Sequence, residues 1–218
     1  MKKILLFAIV IGMTNAANAQ TEYYTSIKAG LGSTTIYIDD NTEFGDALVQ
    51  YAEYNTGLTG FKYSSGGILW EISPAVGIDW TLNNSGWLHM RLEGELGYNR
   101  YHETGKLKYD MTITNKTEIN FDDIFLLVNG YMDFKIDKVA PYIGFGIGHD
   151  WEAAEITIDN ANESINDDGS IWALHLGIAY KYSYSTTFDF GVRRVYVPTD
   201  SEESYVFTTA RLGARFRI

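Results

Sequence analysis

Eight stretches of this chain alternate apolar and polar residues one by one, and that period of two limits the possible folds more than any other feature. They cover about 23–38, 67–82, 87–103, 121–136, 141–158, 170–182, 187–198 and 206–218. In the second, Ile68, Trp70, Ile72, Val76, Ile78, Trp80 and Leu82 share one phase, while Glu71, Ser73, Gly77 and Asp79 occupy the other. In the third, Leu88, Met90, Leu92, Leu96 and Tyr98 alternate with His89, Arg91, Glu93, Glu95 and Asn99. The sixth sets Trp172, Leu174, Leu176, Ile178 and Tyr180 against Ala173, His175, Gly177, Ala179 and Lys181. Successive side chains of a strand point to opposite faces, so each stretch reads as a strand with one apolar and one polar face.

The connections alternate as well. Asn83–Gly86, 137–140 and 183–186 are short and built from turn formers. The others, 39–66, 104–120, 159–169 and 199–205, are longer. An even number of strands joined this way predicts an all-β fold: an eight-stranded antiparallel up-and-down transmembrane β-barrel, with short periplasmic turns and longer external loops. Both termini then lie at the periplasmic rim. Closure removes the open sheet edge, whose unpaired backbone groups would be costly in lipid.

The two ends fit that scheme. Lys2 and Lys3, an apolar run from Ile4 to Met13 and Ala17-Asn18-Ala19 read as a secretory signal peptide over 1–19. The barrel domain is then 20–218. The last eight residues place Leu212, Ala214, Phe216 and Ile218 on one phase and Arg211, Gly213, Arg215 and Arg217 on the other. There is no cysteine, so neither a disulfide framework nor thiol chemistry is available. Three prolines, 21 glycines and 16 tyrosines suit strands and turns. The chain carries a net charge of −11, which becomes −13 without Lys2 and Lys3, and this argues against nucleic acid as a partner.

Particular motifs carry a family resemblance. Leu126-Leu127-Val128-Asn129-Gly130-Tyr131-Met132-Asp133-Phe134, followed by Ala140-Pro141-Tyr142-Ile143-Gly144-Phe145-Gly146-Ile147-Gly148, resembles the strand-turn-strand core of the small outer-membrane β-barrel superfamily. That group includes opacity-protein-like adhesins, bacterial surface antigens of the porin family and the barrel of outer-membrane protein A. Arg91–Tyr98 is similar to its third strand and Phe188–Arg193 to its seventh. The resemblance implies residence in the bacterial cell outer membrane, contact with outer-membrane lipid, and insertion by the barrel-assembly machinery. The C-terminal octet resembles the insertion signal of such proteins, carried here by Gly213, Phe216 and Ile218. Two departures stand out. Ile218 occupies a terminal position where Phe or Trp is commoner, and Arg194 falls on the apolar phase of its strand.

If the apolar phases face lipid, the polar phases fill a narrow lumen. Arg91, Glu93, Glu95, His175, Lys181, Arg193, Arg211, Arg215 and Arg217 are then expected to form a lumen charge network, because buried charges must pair. Glycines on the polar phases (Gly144, Gly146, Gly148, Gly177, Gly191, Gly213) suit a crowded interior. The chain contains no recognisable nucleophile motif, so no catalytic residue is expected. His102 and His149, near the outer strand ends, are the candidates for a rim site. No cofactor and no metal site is expected. Asn166-Asp167-Asp168-Gly169 has only part of a calcium loop, lacking its spacing and distal Glu. The long connections are acidic, and 39–66 also carries Phe44, Leu48, Val49, Tyr51, Tyr54 and Phe61, which suits contact with a partner. Three functions fit this pattern. The first is a non-enzymatic barrel with a structural and surface-interaction role through its acidic external loops, directed at a host or cell-surface partner. The second is a narrow porin-like channel for small solutes. The third is a soluble barrel that binds an apolar ligand in its core.

Overall fold

The computed structural model describes residues 21–36, 62–64, 67–83, 85–109, 113–158, 161–198 and 204–218. The strands are β1 (Thr21–Ile36), β2 (Lys62–Ser64), β3 (Gly67–Thr81), β4 (Leu88–Tyr109), β5 (Ile113–Phe134), β6 (Val139–Ile158), β7 (Ala161–Lys181), β8 (Thr186–Pro198) and β9 (Ser204–Arg217). Each of β3 to β9 pairs antiparallel with its sequence neighbour, and β1 pairs with both β3 and β9, which closes the wall. The short β2 pairs with β4 in the same register as β3 (Ser64↔Lys106, Gly67↔Glu103), so the two occupy one wall position and the barrel has eight.

The registers fix the geometry of the barrel. A circuit of paired residues from Tyr24 passes Gly77, Glu93, Asn129, Gly146, Ala173, Val195 and Phe207 and returns to β1 at Thr34, ten residues further along. A stagger of that size over eight strands tilts them by roughly 40° from the barrel axis.

The apolar phases face outward: Leu176 is 67% exposed and Ile143 and Ile147 both 53%. Aromatic residues bound this belt at both ends. On the external side Trp172 stacks on Tyr196 with centroids 3.9 Å apart, and Trp70 meets Tyr98 edge-on at 5.4 Å. On the periplasmic side Trp87 stacks on Phe134 and Tyr182 leans on Phe188. Trp172 and Tyr182 lie ten residues apart on one chain segment. At the strand rise and tilt this spans roughly 25 Å, the height of an outer-membrane apolar band.

The short connections are tight turns. Ile136 and Val139 exchange backbone hydrogen bonds around Asp137 and Lys138, with Asp137 at φ 56°. Gly86, at φ 71°, supplies the left-handed residue of the β3–β4 turn. In the β7–β8 turn the Thr186 amide donates to Ser183 Oγ.

Two expected loops are corrected. Most of 104–120 and 159–169 is strand, with β4 and β5 paired as far as Tyr109↔Ile113 and β6 and β7 as far as Ile158↔Ala161. Above the membrane no lipid requires an apolar outer face, so the alternation fades while backbone pairing continues. The expected signal segment 1–19, most of the 39–66 connection and 199–203 lie outside the described residues.

Candidate functional site: a charged, closed lumen

Inward-facing residues fill the bore in three layers. Nearest the periplasm, Arg91 donates through Nε and Nη2 to the Asp133 carboxylate at 2.5 and 2.9 Å. Across from it, Arg215 forks onto Asp189 at 2.7 and 3.0 Å. Such two-point pairs hold a planar guanidinium in one orientation. The Arg91 guanidinium also lies 4.2 Å from the Tyr131 ring centroid and 5.1 Å from that of Tyr142.

The middle layer is a mesh of three carboxylates and three cations. Lys28 contacts Glu93 and reaches Glu95 at 2.8 Å. Arg193 donates to Glu71 at 2.6 Å and to Glu95 at 3.2 Å. Arg211 lies 2.7 Å from Glu71 and donates to Glu95 at 2.5 Å. Neutral donors complete the shell: Tyr24, Ser26 and Tyr131 hydroxyls donate to Glu93, Thr209 to Glu71, and the Asn129 amide to Glu95. His175 Nε2 sits 3.1 Å from Asn129 Oδ1. Arg193, Glu71, Glu93 and Glu95 are each 2% exposed or less.

Together the two layers hold five buried cations (Lys28, Arg91, Arg193, Arg211, Arg215) and five buried carboxylates (Glu71, Glu93, Glu95, Asp133, Asp189). Within these two layers the formal charge cancels. Three further buried carboxylates lie outside them: Asp79 beside His89 and Lys135 at the periplasmic mouth, and Asp123 and Asp150 above the mesh.

Above this mesh the lumen turns apolar on one side. Phe125, Leu127, Ile171, Ala173, Val195 and Val197 pack as one cluster with Phe207 against it. The Phe125 ring spans the junction between layers, 4.5 Å from the Arg193 guanidinium, and fills the space left by Gly97 on the neighbouring strand. The space inside the mesh is small. A cavity of about 20 Å³ bordered by Lys28, Arg91, Tyr142, His175, Asp189 and Arg211 is room for about one water. A wider vestibule of about 80 Å³ opens at the periplasmic mouth, bordered by Asp79, Asp133, Lys135, Arg215 and Arg217. There His89 Nδ1 lies 2.7 Å from Asp79, and Lys135 is 3.4 Å from the same carboxylate. Partial burial of Lys135, just past β5, pushes its ammonium below the ordinary lysine value, and Asp79 opposes that shift.

Of the nine residues expected in the network, the structure places Arg91, Glu93, Glu95, His175, Arg193, Arg211 and Arg215 inside the bore. Lys181 and Arg217 are corrections. Both have the inward phase but lie at strand ends, where the wall stops. Lys181 is exposed, and Arg217 is only partly buried, pairing with Glu22 beside the Tyr184 ring. Arg193 and Arg211 meet Glu95 on β4, whereas Arg215 serves Asp189 and Glu93 is held by Lys28. Sequence reasoning missed Lys28, Glu71, Asp133 and Asp189 as members. The last two were accessible, since each is a lone carboxylate flanked by apolar neighbours (Met132 and Phe134, Phe188 and Phe190). His102 and His149 do not converge: the first contacts Asn120 at 2.6 Å and the second Asp168 at 3.2 Å. Asp168 and Gly169 lie in paired strand, and among the described residues no group of three or more His, Asp or Glu is arranged to hold a metal ion.

An apolar belt of membrane height around a charged interior excludes a soluble barrel with an apolar binding core. The sequence matches the outer membrane protein beta-barrel domain over residues 4–217, and the chain belongs to that family of bacterial outer-membrane proteins. Among solved structures it is similar to Neisserial surface protein A, at 13% identity and a TM-score of 0.50, covering 91% of this chain and 99% of that one. Outer membrane protein OprG from Pseudomonas aeruginosa is 12% identical with a TM-score of 0.45, covering 91% and 97%. Ail, the attachment invasion locus protein of Yersinia pestis, is 16% identical with a TM-score of 0.41, covering 90% and 99%. No curated protein sequence matches the chain.

Proposed function

We propose that this outer-membrane barrel is a non-enzymatic, non-conducting anchor that presents a surface-interaction platform outside the cell. The uneven height of its wall carries the reading. β7 continues for eleven residues, 161–171, beyond its last pair with β8. With β4, β5 and β6 it raises a half-wall roughly 25 Å above the external girdle. A membrane anchor alone has no use for so much ordered strand outside lipid. In sequence the β6–β7 end and the 199–203 connection are acidic (Asp159, Glu163, Asp167, Asp168, Asp200, Glu202, Glu203), while the β4–β5 end mixes Lys106, Lys108 and Lys116 with Asp110 and Glu118. The acidic part favours a cationic surface on a host or neighbouring cell. Delivery follows the same scheme: 1–19 directs export, and Gly213, Phe216 and Ile218 present the barrel to the assembly machinery. Phe216 and Ile218 are exposed on the closing strand, and the Ile218 amide donates to the Tyr23 carbonyl.

The test is a register-preserving truncation. Thr104–Glu118, paired end to end, is replaced by Asn-Gly. The shortened barrel is expected to insert and to show heat-modifiable gel mobility like the parent, while cells displaying it lose adherence to host cells or to neighbouring bacteria. Undiminished adherence by a correctly inserted truncation contradicts the proposal.

A further inference from the structure

Arg194 breaks the apolar outer face, and its surroundings give that break a purpose. It is exposed on the lipid side of β8, two residues below Tyr196 in the external girdle. Its guanidinium carbon lies 5.2 Å from the Tyr196 ring centroid, so the side chain reaches up toward the interface. Among the described residues it has no carboxylate partner. Arg100, the other exposed arginine on the outer face near this rim, is instead paired with Asp122 at 3.8 Å.

The cross-strand neighbours of Arg194 are informative. Arg194 pairs directly with Thr208 on β9, and Thr208 pairs directly with Ser33 on β1. All three are exposed, and they form one row across three adjacent strands. Directly paired side chains on a face stand about 5 Å apart. The row therefore offers a guanidinium fork and two hydroxyls, climbing toward the external surface. Aliphatic side chains flank it: Leu174 on one side, Leu31 and Leu212 below. The stacked Trp172–Tyr196 pair forms a rigid shelf at its upper edge.

We propose that Ser33, Thr208 and Arg194 bind the phosphate of a phosphorylated lipid in the external leaflet. A cation facing lipid is destabilising unless it reaches the interface or meets an anion there. A lipid phosphate at girdle height accepts two parallel hydrogen bonds from the guanidinium, the geometry in which arginine binds oxyanions most strongly. The hydroxyls of Thr208 and Ser33 donate to the remaining oxygens, and the acyl chains lie along Leu174, Leu31 and Leu212. The site thus ties the low side of the wall to the membrane surface, opposite the raised β4–β7 half-wall.

The experiment uses the refolded mature chain in detergent micelles, titrated with diphosphoryl lipid A and followed by native mass spectrometry and by the heat-modifiability midpoint. The wild type is expected to retain the lipid saturably. Arg194→Gln is expected to weaken retention about tenfold, the loss of a charge-assisted contact. Arg194→Lys should recover part of it, Thr208→Val should weaken it to a smaller extent, and Arg100→Gln should leave it unchanged. Each variant is first checked for wild-type heat-modifiable mobility, so that misfolding does not read as lost binding. Equal retention by Arg194→Gln overturns the proposal. So does equal retention of fully dephosphorylated lipid A, or displacement of the lipid by millimolar inorganic phosphate, which would assign the row to a free anion.

Discussion

Replacing Arg193 by Met removes the cation that ties Glu71 to Glu95. The magnitude follows from the contacts. Arg193 makes charge-assisted hydrogen bonds to both carboxylates, at 2.6 and 3.2 Å, and is 1% exposed. Each such bond contributes about 1.5–3 kcal/mol. Removing one partner of a buried ion pair costs about 3–5 kcal/mol, because the other charge stays buried without compensation. Met refills most of the volume, so the cavity contribution is small. Arg193→Met should therefore destabilise the barrel by about 3–5 kcal/mol. Guanidinium unfolding in phospholipid vesicles measures it, with emission from the five tryptophans as the signal. Glu71→Gln should cost a similar amount. The double variant should cost clearly less than the sum, since the first substitution already leaves Glu71 with only Arg211 and Thr209 to offset its buried charge. If Arg193→Met shifts stability by less than about 1 kcal/mol, or if the two substitutions add, the interlocked network is not what holds the bore together.

Other perturbations separate the faces and layers. Leu176→Arg, on the lipid face near mid-belt, should impair insertion into vesicles by about 2–4 kcal/mol; equal folding yields in lipid would reverse the face assignment. Lys181→Met and Arg217→Met remove charges at the wet periplasmic rim and should change stability by about 0–1 kcal/mol in the same unfolding assay, a loss comparable with Arg193→Met being the contrary result. Gly97→Ala places a methyl against the Phe125 ring, so the ring must leave its seat or the strands must part; the expected cost is about 1–3 kcal/mol, read as a lowered unfolding midpoint.

The barrel was legible because lipid enforces a rule on every strand: outward residues must be apolar for the height of the membrane. Strands such as 67–82 and 170–182 obey it throughout, and β3 and β7 occupy those positions. Beyond the girdle the rule lapses. Residues 104–118 are rich in Thr, Lys, Asn and Glu, and read as loop although their backbone is paired. Membership of the lumen network was partly legible for the same reason, since a charge on the polar phase has nowhere else to go. Lys28 escaped because Ser26, Gly30 and Gly32 around it give β1 little contrast between phases. The partners were legible only in part: Arg193 and Arg211 do meet a β4 glutamate, but Arg215 does not. Which carboxylate meets Arg211 depends on a stagger accumulated over eight strand pairs, and a slip in any register would exchange them. Arg194 was visible as an anomaly, but its row with Thr208 and Ser33 needed the β8–β9 and β9–β1 registers.

The claim that an ion-paired mesh closes the lumen is tested most directly by single-channel recording. The refolded mature barrel is incorporated in a planar phospholipid bilayer at physiological salt, with incorporation verified independently. Five cations locked onto five carboxylates, with an apolar cluster above them, predict no stepwise conductance in the wild type. Steady, ion-selective steps in every incorporated wild-type barrel would contradict a closed bore and restore the narrow-channel reading.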